Sequence, residues 1–362
     1  MISVSIVNVT SYTGLELLRL LMQHSHFTVQ SVTARSAVGK RLDEVFPQLY
    51  LQPNRRETPL AGVNPELVIT QEPAQTDLAF VCLPHAAAAE SVVTLLERGT
   101  KVVDLSADFR LRDVDQYEEW YKHKHPAPAL LETAVYGLCE RYRERITGAE
   151  LVANPGCHAT TAILGLIPAV AEGIISPSVI VDSKSGISGA GRSLTLGTHY
   201  AEANEDVSAY SLNGHRHLPE ITQELESAAV ASGHPLAQPL RLTFIPHLIP
   251  MTRGILATCY ADLSPEAQER ISTPADVQAL YQDYYADEPF VYVVDQPPHT
   301  KWTYGSNTCC IYPTLDTRTG RLLVISCLDN LVKGAAGQAI QNANLLYGLA
   351  ETEGLSAASL YP

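Results

Sequence analysis

The chain has 362 residues, 25 Lys and Arg against 39 Asp and Glu, and a formal charge of −14 with its histidines neutral. An acidic chain is repelled by polyanions and by anionic membrane surfaces, which argues against nucleic-acid and membrane partners. The 46% hydrophobic and 18% charged content excludes wholesale disorder and supplies apolar material for about two domains of roughly 150 residues.

Residues 2 to 9 alternate apolar and β-branched side chains and read as a strand. The turn Asn8-Val9-Thr10-Ser11-Tyr12-Thr13-Gly14 follows, and then a leucine-faced helix. Further strands are expected at 27 to 34, 77 to 83 and 101 to 105, with an alanine-rich helix before the last of them. This alternation predicts a doubly wound parallel sheet of the α/β class. The polar, aromatic stretch 117 to 125 and the prolines after it read as a loop or lid over that sheet, with His123 and His125 solvated.

The character then changes. Strand candidates at 150 to 153, 177 to 183, 240 to 245, 254 to 260, 290 to 294, 309 to 315 and 321 to 328 crowd together with few helices between them. That density predicts a mostly antiparallel sheet in a second, α+β domain. Residues 262 to 289 read as helical from their Glu, Gln and Ala content, and 334 to 349 as a helix that packs back on the first domain.

Seven cysteines without a CxxC pair, and an opening without a basic n-region, predict free thiols in a reducing, cytoplasmic setting. No apolar run approaches the roughly 18 residues of a spanning helix.

The first strand-to-helix turn is where a dinucleotide pyrophosphate meets backbone N–H groups and a helix N-terminus. Thr10, Ser11, Tyr12, Thr13 and Gly14 are therefore candidate cofactor contacts, and Asn8 is a residue that tolerates the left-handed conformation. An ordinary connecting turn is the plainer alternative. At the end of the second strand, Arg35 and Ser36 stand where an NAD site would place an acidic residue. Arginine and a hydroxyl suit a 2′-phosphate and so favour NADPH, against the alternative of a solvated surface arginine.

Asn154-Pro155-Gly156-Cys157-His158 lies at a strand end, directly before an apolar helix. Unpaired N–H groups and the macrodipole stabilise a thiolate at such a position, so Cys157 is the candidate nucleophile. Cys82, Cys259 and Cys327 lie in apolar strands and read as buried hydrophobes. A thiol nucleophile needs an acid/base partner, and His215 and His217 of the segment GHRHLPE supply one. The same pair could be metal ligands, but no third ligand of matching spacing accompanies it, so no metal is expected. The Gly/Ser loop around Ser188, Gly189 and Arg192 can bring N–H groups and a cation to an anionic substrate. Asn330, at a strand-to-helix junction, is a candidate contact for a nicotinamide carboxamide.

Eight segments in order carry a resemblance: SYTGLELLRLL, TARSAVGK, DLSADFRL, NPGCHAT, SGISGAGR, GHRHLPEI, PHLIPMTRGI and DNLVKGAAGQAIQN. The chain resembles the N-acetyl-gamma-glutamyl-phosphate reductases, within the aspartate-semialdehyde-dehydrogenase-like superfamily. The resemblance implies an NADP-binding Rossmann domain over 1–153, a catalytic and oligomerisation domain over 154–329, and a C-terminal helix over 330–362 that returns to the first. It implies Cys157 as nucleophile, His217 as acid/base with His215 as the alternative, and Ser188, Gly189, Arg192 and Arg110 as phosphate and carboxylate contacts. Asn154 and Glu220 of the matched segments are counted with the substrate contacts.

The implied reaction is the NADPH-dependent reductive dephosphorylation of an N-acetylglutamyl phosphate through a Cys157 thioester, with inorganic phosphate released, in a homodimer or homotetramer. Alternatives are the same chemistry on a carrier-bound aminoadipyl phosphate, or a non-catalytic dinucleotide-binding sensor. The chain departs from the family in three places: NVTSYTG for GATGYTG, His158-Ala159 for Tyr-Pro, and Ala86 for Gly.

Overall fold

A computed structural model describes residues 1–50 and 62–361. The chain divides into two compact units, one of Met1–Pro155 with Ala335–Ala357 and one of Gly156–Gly334 with the residues from Ala358 onward.

The first unit is built on six strands, β1 (Ile2–Val7), β2 (Phe27–Val32), β3 (Leu78–Val81), β4 (Lys101–Asp104), β5 (Val135–Tyr136) and β6 (Leu151–Ala153). They run parallel throughout in the order β2-β1-β3-β4-β6-β5. Leu78, Ala79, Phe80 and Val81 are all fully buried, as a parallel strand with both faces covered requires. Beside them Val92, Phe109, Leu131 and Leu151 close a core with Val7 and Val81. The order reverses between β1 and β3, so a crevice opens beyond the carboxyl ends of those two strands.

The helix Gly337–Leu346 is buried along its whole length in this unit, polar residues included. Those polar groups are used: Asn342 donates to Gly137 O at 2.9 Å and accepts from the Cys139 thiol at 3.1 Å, and Asn344 Oδ1 pairs with His24 at 3.0 Å.

Three expectations need correction here. The strand at 150 to 153 belongs to the first sheet and not to the second, since β6 pairs in parallel with β4 and β5. The expected loop at 117 to 125 begins inside a helix, Val114–Tyr121, whose start is fixed by the Asp113 carboxylate accepting from Asp115 N and Gln116 N. His125 is buried, not solvated: Phe109 and Tyr117 pack edge-on against its ring, and its Nε2 lies 2.8 Å from Asp108 O.

The second unit carries seven strands, β7 (Ile175–Gly186), β8 (Ser208–Ala209), β9 (Arg241–Ile249), β10 (Ile255–Leu263), β11 (Val291–Val293), β12 (Cys309–Asp316) and β13 (Arg321–Leu328). Their order is β11-β12-β13-β10-β7-β9-β8. The β7/β9 and β11/β12 pairs are parallel and the other neighbours antiparallel, so the sheet is mixed and mostly antiparallel as expected. On β10 every second residue from Ile255 to Leu263 is buried. The helix Cys157–Ala171 packs close on this buried side: a Cβ on Gly165 would lie 3.2 Å from Ser326 Cβ. Residues 262 to 289 are helical mainly at Pro274–Tyr284, where Thr273 and Asp276 form a capping box.

Among the described residues no helix is long and apolar enough to cross a membrane. Cys82, Cys259 and Cys327 are buried, whereas Cys157 is partly exposed.

Candidate active site

In the first unit the turn after β1 is held by its own backbone. Asn8 adopts φ +66°, the left-handed conformation, and its Nδ2 donates to Cys82 O at 2.9 Å, tying the end of β1 to the end of β3. Val9 N donates to Thr33 O at 2.8 Å and so ties the turn to the end of β2. Ser11 caps the helix Tyr12–Leu21, its Oγ accepting from Gly14 N at 3.0 Å. Gly14 is obligatory, since a Cβ there would meet Asn8 O, Val9 Cα and Val9 O at 2.8 Å.

First-turn N–H groups of a helix have no intrahelical acceptor, so the residues at Tyr12 and Thr13 present donors at the crevice. Arg35 and Ser36 are exposed in a short 3-10 turn just beyond β2, two residues past the Thr33 carbonyl that anchors the turn after β1. This donor set fits a nicotinamide dinucleotide: a tight turn with Asn8 in the left-handed conformation and Gly14 against its backbone, helix N–H groups, and a cation with a hydroxyl at the neighbouring strand end.

In the second unit Gly156 is the N-cap and Cys157 the first residue of a fifteen-residue helix. Gly334 runs beside the cysteine, where a Cβ would come within 2.9 Å of Cys157 Cβ. The thiol therefore stands at the positive end of an apolar, fully folded helix.

His158, the next residue along the helix, meets two further histidines, His215 and His217. His215 Nδ1 accepts from His217 N–H at 3.1 Å, and the two rings meet edge-to-face at 4.7 Å. Phe244 and Tyr210 also pack on His215, and burial pushes its pKa down to about 4. His158 lies 5.7 Å from His215 and 5.9 Å from His217, ring to ring. It is buried, with Nδ1 at 2.8 Å from Ser183 Oγ and Nε2 at 3.1 Å from the Tyr210 hydroxyl, and burial pushes its pKa down to about 3. Sequence reasoning misses His158, Ser183 and Tyr210. His158 has a signal, its place next to Cys157; Tyr210 has none, because β8 and the turn after it bring it in.

Several residues expected to touch substrate or cofactor are buried and bonded to the protein. Glu220 is fully buried and accepts Gly156 N–H at 2.8 Å, so it holds the turn before Cys157. Asn154 is 1% exposed; its Nδ2 donates to Ala335 O and its Oδ1 accepts from Asn342. Arg110 is 5% exposed and donates to Asn154 O at 2.8 Å and Leu105 O at 2.9 Å, bracing the end of β6. Asn330, expected at a nicotinamide, is buried with Nδ2 donating to Ser188 Oγ and Oδ1 accepting from Gly254 N. In each case a polar residue in a motif satisfies buried backbone or loop groups, as burial demands.

Asn330 thus fixes the loop that carries Ser188. A Cβ on Gly189 would lie 2.7 Å from Ser185 Oγ, so a side chain there displaces that hydroxyl. Arg192 is exposed at the start of the arm that follows.

Residues 3–149 match the family described as semialdehyde dehydrogenase, NAD binding domain, and residues 157–330 the one described as semialdehyde dehydrogenase, dimerisation domain. The N-acetyl-gamma-glutamyl-phosphate reductase of Dehalococcoides mccartyi is 52% identical over 357 residues, covering 99% of this chain and 98% of that one. The protein of the same name from Pelotomaculum thermopropionicum is 45% identical, covering 100% and 99%. Among solved structures, aspartate semialdehyde dehydrogenase II from Vibrio cholerae superposes with a TM-score of 0.67 at 15% identity, covering 96% of this chain and 99% of that one. Aspartate semialdehyde dehydrogenase with NADP from Candida albicans gives 0.66 at 14%, with the same coverage. At these identities the two structures speak for the fold alone.

Proposed function

The chain belongs to the N-acetyl-gamma-glutamyl-phosphate reductase family of semialdehyde dehydrogenases, and we propose that it reduces N-acetyl-L-glutamyl 5-phosphate to N-acetyl-L-glutamate 5-semialdehyde with NADPH, a step of arginine biosynthesis. The observation that carries this reading is a partly exposed cysteine opening a buried helix, with the pair His215 and His217 packed on the ring of the next residue, His158. Relatives at 45–52% identity share one name, which favours this substrate over a carrier-bound aminoadipyl phosphate and over a sensor without catalysis.

Cys157 is the nucleophile. Its sulfur attacks the acyl carbon, the bond from that carbon to the phosphate oxygen breaks, and inorganic phosphate leaves a thioester behind. The oxyanion of the tetrahedral stage is held by first-turn N–H groups of the Cys157–Ala171 helix. Gly156 is not one of them, because its N–H is given to Glu220.

When bound, NADPH supplies the hydride that reduces the thioester carbon. Thr10, Ser11, Tyr12, Thr13 and Gly14 would hold its pyrophosphate, and Arg35 and Ser36 its 2′-phosphate. The thiohemiacetal then collapses, releasing the aldehyde and the cysteine.

His217 takes the thiol proton as attack begins and returns it to the departing sulfur. The role falls to His217 because His215 has its Nδ1 committed to a backbone N–H and is held neutral by burial. Its remaining nitrogen then carries the hydrogen, which makes His215 a donor and not a base. Ser188, Gly189 and Arg192 meet the anionic ends of the substrate, while Arg110, Asn154, Glu220 and Asn330 position the backbone. The enzyme works as a cytoplasmic homo-oligomer, a dimer or a tetramer.

The test is the reverse reaction, following NADPH absorbance with N-acetylglutamate semialdehyde, phosphate and either NADP⁺ or NAD⁺. Phosphate-dependent reduction of NADP⁺ that Cys157→Ser abolishes, with dinucleotide binding retained, is the expected result. A rate that persists without phosphate or without the thiol sinks the scheme.

A further inference from the structure

His158 takes no part in that chemistry, yet both of its nitrogens and its ring are engaged. Its two nitrogens reach Ser183 on β7 and Tyr210, and its ring meets His215, His217 and Phe244. Tyr210 is itself unusual in its surroundings. Between 189 and 214 only Thr198, Ala203 and Tyr210 are partly buried, and every other residue is exposed. This arm leaves β7 and returns through β8, two residues paired with His247 and Leu248 of β9, and five residues after Tyr210 it delivers His215.

We propose that His158 and Tyr210 form a positioning unit, in which the hydrogen-bonded chain Ser183–His158–Tyr210 pins the exposed arm to the nucleophile's helix and so sets where His215 and His217 stand. A two-residue strand leaves such a segment weakly held, and local stability falls with few buried contacts. The described anchors of the arm at this end are Tyr210 N to Pro246 O at 3.1 Å, the Tyr210 ring on His215, and the hydroxyl on His158. Of these three, the hydroxyl reaches the helix of Cys157 directly. Burial keeps His158 neutral, so each of its nitrogens has one fixed sense, one donating and one accepting. The inference rests on Cys157 being the nucleophile.

Tyr210→Phe removes one hydroxyl and keeps the ring and the strand pairing. A net hydrogen bond of roughly 0.5–1.5 kcal/mol corresponds to about a twofold to tenfold loss, which is expected in kcat with KM and NADPH affinity unchanged. His158→Asn keeps an amide where Nδ1 faces Ser183 and loses reach to Tyr210, whereas His158→Gln places its amide near Nε2 and keeps that reach. His158→Asn, Tyr210→Phe and their combination should therefore show the same loss, with His158→Gln restoring part of it.

A second readout needs no substrate: the rate of Cys157 alkylation by iodoacetamide against pH should shift in Tyr210→Phe and in His158→Asn alike. Multiplicative losses in the double variant, or a Tyr210→Phe protein with wild-type kcat and wild-type alkylation profile, overturn the proposal. Should His158→Asn fail to fold, Tyr210→Phe decides alone. If the wild-type protein does not turn over the acyl phosphate, the substrate assignment fails while the alkylation series still tests the unit.

Discussion

The carboxylate of Glu220 accepts the N–H of Gly156 at 2.8 Å, so the first turn of one helix caps the residue that precedes Cys157 on another. Both groups are buried. Removing the acceptor leaves a buried donor unsatisfied, at a cost of about 1–3 kcal/mol. Glu220→Ala should therefore lower the unfolding free energy by that amount and slow Cys157 alkylation, while Glu220→Gln, which keeps an acceptor, should stay near wild type. Urea unfolding of the three proteins checks this. Equal destabilisation by Ala and Gln would show that charge, not the hydrogen bond, matters at this position.

Two non-glycine residues hold left-handed backbone in the strand-to-helix connections of the parallel sheet, Asn8 at φ +66° after β1 and Ala86 at φ +60° between β3 and the helix Ala89–Glu97. Asn8 offsets the strain with its bond to Cys82 O, and Ala86 has no side chain that can do so. A left-handed alanine costs roughly 1–2 kcal/mol, of which glycine's extra unfolded-state entropy returns part. Ala86→Gly is expected to raise stability by about 0.5–1 kcal/mol, and Asn8→Ala to lower both stability and dinucleotide affinity. Thermal unfolding and NADPH titration separate the two sites: Ala86→Gly should move only the first.

Much of this architecture is legible before folding, for identifiable reasons. β3 is a continuous apolar run because both of its faces are covered, and β10 alternates because one face is covered, so each announces its sheet. Cys157 is legible because polar turn chemistry runs straight into an apolar helix. The departures share a cause. Arg110, Asn154, Glu220 and Asn330 are polar residues in motifs, and sequence does not tell whether such a group faces a ligand or an unsatisfied backbone amide inside the protein. Tyr210 lies 52 residues from His158 and meets it only because β7, β9 and β8 lie side by side. The helix at Val114–Tyr121 is hidden by its composition, since its buried face consists chiefly of Tyr117, stacked on Tyr121.

Arg35 decides the choice between dinucleotides if it meets the 2′-phosphate. It is exposed, and a charge-assisted contact to a phosphate contributes roughly 1.5–3 kcal/mol. Arg35→Ala should therefore weaken NADPH binding by about tenfold or more and leave NADH binding as it was. Fluorescence titration with both cofactors measures the ratio. A parallel loss for NADPH and NADH would assign Arg35 to the ribose or the adenine instead.

Asp104, at the end of β4, is fully buried, and burial pushes its pKa up to about 7 despite two hydrogen bonds from Ser106. In the unfolded chain the same carboxyl ionises near its ordinary value of 3.8. Between these two values the folded protein binds a proton that the unfolded chain has lost. Stability attributable to this group is then highest below about pH 4, falls as pH rises towards 7, and stays level above it. The gap between the folded and unfolded values corresponds to about 4 kcal/mol as an upper bound. Asp104→Asn can keep both Ser106 contacts, its oxygen accepting the N–H and its amide donating to the hydroxyl, without ever carrying the charge. The variant is therefore expected to match wild type near pH 4 and to exceed it by a few kcal/mol at about pH 8. Denaturant unfolding of both proteins across that range is the check, and two parallel curves would mean that Asp104 titrates in the fold much as it does in the unfolded chain.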